Sequence, residues 1–146
     1  MIWFRMIIIF IIMKVHLKNT TKYFSPEEFE LIKDFINLLQ QEIPLKKDVY
    51  INFNKQREGH MTTGVRFPGH RINILTKDRL LIDVLRTLSH EWTHEFQHQK
   101  LGLKDNEKIQ DIGGPEENMA NVLSGIFIKK FAKNFPKYLK TMYGES

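Results

Sequence analysis

The chain contains no cysteine. Without thiols there is no disulfide framework and no thiolate metal site, so any bound cation must be held by imidazoles and carboxylates. Proline and glycine are sparse, 5 and 8 in 146 residues, which excludes collagen-like and linker-rich chains. No large excess of one charge exists either. Lys and Arg number 22 against 17 Asp and Glu, and the formal net charge of +5 implies only a mild pull towards anionic partners. Alanine does not occur before Ala120, so the apolar N-terminus lacks the small-residue cleavage site of a secretory signal.

What is present suits one soluble-sized domain. Hydrophobic residues make up 42%, with eleven Phe, enough for a real core. The length fits a single domain of about 100–150 residues. Residues 1–13, MIWFRMIIIFIIM, are apolar except for Arg5. This run falls short of the roughly 20 residues of a membrane span. Three readings stand: a start properly at Met13, an anchor or uncleaved signal, or a structural strand. Residues 14–146 form the single domain. The expected location is cytoplasmic, with membrane anchoring as the alternative if residues 1–13 serve as an anchor.

Ser25-Pro26-Glu27-Glu28 is a helix start, because Ser25 caps, Glu28 completes a capping box and Pro26 occupies a position that needs no N–H. Phe29, Ile32, Phe35, Ile36 and Leu39 follow at helical spacing, predicting a helix over 26–42. Residues 49–75 alternate in VYINF and HRINIL, with GVRF between, and predict a sheet of about three strands. A second long helix is expected from Thr76–Asp78 to Leu101, stopped by Gly102. Pro115 opens a third, with Glu116 and Glu117 in its acidic first turn and an apolar stripe of Met119, Val122, Leu123, Ile126 and Phe127. Pro136 ends it, and a short basic helix runs to Tyr143. The fold class is therefore α+β: N-terminal helix, small sheet, a central helix and a C-terminal helix.

The central helix contains His90-Glu91-Trp92-Thr93-His94. At 100° per residue, Leu81, Leu85, Leu88, Trp92 and Phe96 share one face, and His90 and His94 stand on the other, about 40° apart. Two imidazoles one turn apart can share a tetrahedral zinc, while Glu91, beside them, can take a proton from a water the metal activates. An overlapping copy, His94-Glu95-Phe96-Gln97-His98, offers a second frame with Glu95 as base. The first is preferred, since Glu95 turns towards the apolar face. A third ligand is needed, and no histidine follows His98. The carboxylate candidates are Asp111, Glu116 and Glu117. Glu117 and Asn121 share one face of the third helix with small Ala120 beside them. Glu117 is thus the expected ligand, with Asn121 accepting a hydrogen bond from a ligand imidazole.

H-E-x-x-H followed by E-x-x-A-N on the next helix resembles the glutamate-type zincins, the gluzincins, and is similar to small ImmA/IrrE-like metallopeptidases of phages and bacteria. The resemblance covers about residues 70–125. It implies a zincin-like metallopeptidase domain with Zn2+ on His90, His94 and Glu117, Glu91 as general base and Asn121 behind the ligands. The Trp92-Thr93 centre departs from the usual HELGH. SprT-like proteins usually take a downstream histidine as third ligand, which this chain lacks.

The expected function is zinc-dependent endopeptidase action on a protein or peptide, with strand Arg71–Leu75 as the edge that pairs with extended substrate. His60, His70, Tyr138 and Tyr143 are candidates for stabilising an oxyanion. The alternative is a non-catalytic zinc-stabilised module whose basic C-terminal face, Lys129, Lys130, Lys133, Lys137 and Lys140, binds nucleic acid or a protein.

Overall fold

The computed structural model describes residues 13–55, 63–100 and 114–144. Residues 1–12, His60, Gly102 and Asp111 lie outside the described residues. The elements, in chain order, are β1 (Val15–Lys18), α1 (Thr20–Tyr23), α2 (Pro26–Glu42), β2 (Val49–Asn54), β3 (Gly64–Phe67), β4 (Arg71–Leu75), α3 (Leu81–Lys100), α4 (Pro115–Asn134), a 3-10 turn (Pro136–Tyr138) and α5 (Leu139–Tyr143). The architecture is α+β.

Helix α2 occupies its expected span, and the capping box is reciprocal. Glu28 N–H donates to Ser25 Oγ at 3.1 Å and Ser25 N–H to Glu28 Oε1 at 2.9 Å. The sheet has four strands, not three, in the order β1-β2-β4-β3. The extra strand is β1, four residues paired in parallel with β2 through Val15↔Val49 and Lys18↔Asn52. Four residues carry too little alternation to stand out beside the apolar run before them. β2 and β4 are also parallel, and β3 closes the sheet antiparallel to β4. β4 is therefore an interior strand, hydrogen-bonded on both sides. The expectation that Arg71–Leu75 offers a free edge is corrected: the edges are β1 and β3.

Alternation sets the two faces of this sheet. Val49, Ile51, Phe53, Ile72 and Ile74 point inward and are buried with Leu31, Phe35 and Leu39 of α2 and Leu81, Leu85, Leu88 and Trp92 of α3. The Trp92 indole, fully buried, donates from Nε1 to the Ile43 carbonyl at 3.0 Å and so satisfies its polar end. Helix α3 starts at Leu81, later than expected. Asp78 adopts φ +61°, and Arg79 Nη1 donates to the Leu75 carbonyl at 2.7 Å, holding 76–80 as a turn.

Two faces of the helices differ from expectation. The side of α3 opposite the core is also covered: Glu95, Gln97, Thr93 and His98 are buried along with His94. In α4 the inward positions are Ala120, Ser124, Phe127, Ile128 and Phe131, whereas Val122 and Ile126 are 61% and 50% exposed. The apolar stripe read from the sequence thus points partly outward. The seam against α3 instead uses small Ala120 and Ser124, whose hydroxyl donates to the Arg86 carbonyl at 3.1 Å. Small side chains let two helix axes approach closely. Among the described residues, no helix is long and apolar enough to cross a membrane.

Candidate metal centre

Helices α3 and α4 pack closely, and the centre forms on that seam. His90 and His94 stand one turn apart on α3. Glu117, in the first turn of α4, reaches both. His90 Nε2 lies 2.9 Å from Glu117 Oε1, His94 Nε2 lies 3.0 Å from Glu117 Oε2, and the two imidazole nitrogens are 3.1 Å apart. Ligand atoms on a zinc tetrahedron with bonds of about 2.0–2.1 Å stand about 3.3–3.4 Å from one another. The observed separations are within a few tenths of an ångström of that. All three ligand atoms lie within 4.8 Å of one another, and this is the only group of its kind among the described residues.

The donor set also fits zinc chemically. Two Nε2 atoms aimed at one point, with a carboxylate across from both, leave the centre short of positive charge, which a divalent cation supplies. Burial, and then the neighbouring His94, hold the His90 imidazole below its ordinary pKa, against the opposing pull of Glu117 and a hydrogen bond from the ring to Asn121. Neutral imidazole is the form that ligates. Asn121 thus hydrogen-bonds His90, one of the imidazoles the sequence paired it with. His94 has an analogous support that sequence reasoning missed. Its Nδ1 lies 2.9 Å from Gln97 Oε1, and Gln97 Nε2 donates to the Glu116 carbonyl at 2.9 Å. Gln97 is fully buried, so this contact fixes the tautomer with Nε2 facing the centre. The i, i+3 spacing from His94 was the available signal.

Glu91 is buried beside the ligands, at 7% exposure. It also touches the sheet: a Cβ added at Gly64 would lie 3.1 Å from Glu91 Cγ and 2.4 Å from Thr87 Cγ2. The absent side chain lets edge strand β3 run directly over Glu91.

The second copy of the motif has a different occupation. Glu95 is fully buried and accepts from Arg66 Nε at 2.7 Å, from Gln99 Nε2 at 2.5 Å and pairs with His70 Nδ1 at 2.7 Å. Its carboxylate is spent on tying β3 and the β3–β4 turn to α3. His98 is buried and falls outside the three-residue group. The oxyanion candidates fare similarly. His70 is engaged with Glu95, and Tyr138 donates to Asp34 at 2.6 Å while stacking on Phe131. Tyr143 is 45% exposed on α5. Comparison of the chain with protein-family models, with curated proteins and with solved structures finds no match.

Proposed function

We propose that this protein is a zinc-dependent peptidase of the gluzincin type on a zincin-like α+β scaffold, with His90, His94 and Glu117 as ligands and Glu91 as general base. The observation that carries this reading is the convergence of those three ligand atoms, with a buried Glu one residue along the helix.

Bound Zn2+ supplies Lewis acidity towards a carbonyl and brings the pKa of a water towards neutrality. Glu91 takes the proton from the attacking water and returns it to the leaving amine, as its burial beside the ligands suits. Asn121 and Gln97 hold the two imidazoles in orientation. β3, open along its outer side, pairs with an extended substrate through main-chain hydrogen bonds. Gly64 keeps that strand within reach of Glu91. The substrate class is a protein or peptide in extended conformation.

The test measures zinc content and cleavage of a mixed peptide library by the full chain and by Glu91→Gln. Retained zinc with cleavage lost supports the reading. A chain whose cleavage survives the substitution, or that takes up no zinc, refutes it. Zinc bound without any hydrolysis by the unsubstituted chain points instead to a metal-stabilised binding module.

A further inference from the structure

The face of the sheet turned away from the helices has no part in the peptidase reading, and its composition is unlike an ordinary solvated face. Strand register sets four side chains in one row across all four strands: His16, Tyr50, Arg71 and Phe67. The His16 and Tyr50 rings stack in parallel, centroids 4.4 Å apart and planes 7° from coplanar. The Arg71 guanidinium lies 5.5 Å from the Phe67 ring centre. Tyr50 is 48% exposed. The next row holds Lys18, Asn52, Asn73 and Val65. Asn52 is oriented by its neighbours, accepting from Asn19 Nδ2 at 2.9 Å and donating to Asn54 Oδ1 at 2.7 Å.

None of the four strands contains Asp or Glu. The acid at its margin, Asp48, is already occupied, with Oδ2 3.1 Å from His16 Nε2 and Oδ1 accepting from Lys14 N–H at 2.8 Å. Cross-strand aromatic and cation pairs also stabilise sheets, by roughly 0.2–1 kcal/mol each. That role alone needs neither a half-exposed tyrosine nor strands free of acids. A half-exposed tyrosine, cations beside it and amides in the next row are elements of single-strand recognition on a sheet.

We propose that the outward face of the sheet, centred on Tyr50 with His16, Arg71 and Lys18, binds single-stranded nucleic acid. A base stacks on the side of Tyr50 away from His16, while Lys18 and Arg71 meet the flanking phosphates. The site lies across the sheet from the metal centre and does not depend on it. It also differs from the basic C-terminal helices, where Lys130 pairs with Glu42 and Lys137 sits over Tyr138.

The experiment is fluorescence anisotropy of labelled 12-nucleotide oligothymidylate and oligouridylate with the full chain at several salt concentrations. Thermal melts confirm that each variant folds. Tyr50→Ala is expected to weaken binding about 5- to 100-fold, and Tyr50→Phe, which keeps the ring, less than about twofold. Lys18→Ala is expected to reduce the salt slope by about 0.7, one phosphate's worth for a single strand. Glu91→Gln and Lys133→Ala are expected to leave affinity unchanged. No binding by the unsubstituted chain overturns the proposal. So does binding that is indifferent to Tyr50→Ala, or that is lost with Lys133→Ala instead.

Discussion

Replacing Gly64 with alanine tests the close approach of edge strand β3 to helix α3. The new methyl would stand 2.4 Å from Thr87 Cγ2, about 1 Å inside an ordinary carbon–carbon contact. Thr87 has little freedom to turn away, because its hydroxyl accepts from Arg79 Nη2 at 2.9 Å and reaches Thr63 Oγ1 at 3.5 Å. Rotation would give up a hydrogen bond of about 0.5–1.5 kcal/mol. The alternative is for β3 to lift from the helix, with an overpacking cost of about 1–3 kcal/mol. On the peptidase reading, the strand's displacement matters more for turnover than for stability. A shift of about 1 Å in a positioned substrate can cost about 100-fold in rate. Gly125 in α4 gives the matched control, since a Cβ there meets nothing within 4 Å. Gly125→Ala is expected to stabilise by up to about 1 kcal/mol through helix propensity. Urea denaturation and peptide hydrolysis, run on both variants, read the two effects separately. If Gly64→Ala melts and turns over like the unsubstituted chain, β3 does not rest on Glu91 and the geometry argued for the substrate strand is wrong.

Three further outcomes are expected. His90→Ala and Glu117→Ala each lower zinc occupancy, measured by atomic emission, whereas His98→Ala leaves it near one ion per chain; the reverse pattern would move the site to the overlapping motif. Glu95→Ala removes the carboxylate that the buried Arg66 Nε pairs with and destabilises by about 3–5 kcal/mol in urea titration, and a loss under 1 kcal/mol would mean the pair is solvated. Tyr138 carries an alkaline signature. The hydrogen bond to Asp34, and then burial, push its phenol from 10.0 up to about 12. The folded state thus holds this proton more tightly than the unfolded one, so the stabilisation is complete below pH 10 and is lost as pH rises towards 12. Tyr138→Phe should flatten urea midpoints across that window, and an unchanged slope would dismiss the assignment.

Legibility followed the range of the interactions involved. Helix α2 was readable because Ser25, Pro26 and Glu28 act within one turn, and the opening of α4 because Pro115 and its acids do the same. The His90, His94 and Glu117 grouping was readable since two of its members are fixed by helical spacing and the third by the next helix's first turn. The Glu95 network was not, as Arg66 and His70 lie 29 and 25 residues earlier and only tertiary packing delivers them. Hydrophobicity also misdirected the reading of α4. Ala120 and Ser124 look like poor core residues until a second helix comes close enough to require small ones, and Val122 and Ile126 are then left outside. Strand β1 was hidden by brevity, and β3's place at the edge by a crossover that sequence order does not show.

The indole wedged under the histidine helix gives the molecule a built-in optical probe. Trp92 shares its turn with Glu91, and one other tryptophan, Trp3, occurs in the chain. In a Trp3→Phe background, emission would come from helix α3 alone. Its blue-shifted, water-excluded state would report loosening of that helix separately from melting elsewhere, with and without chelator.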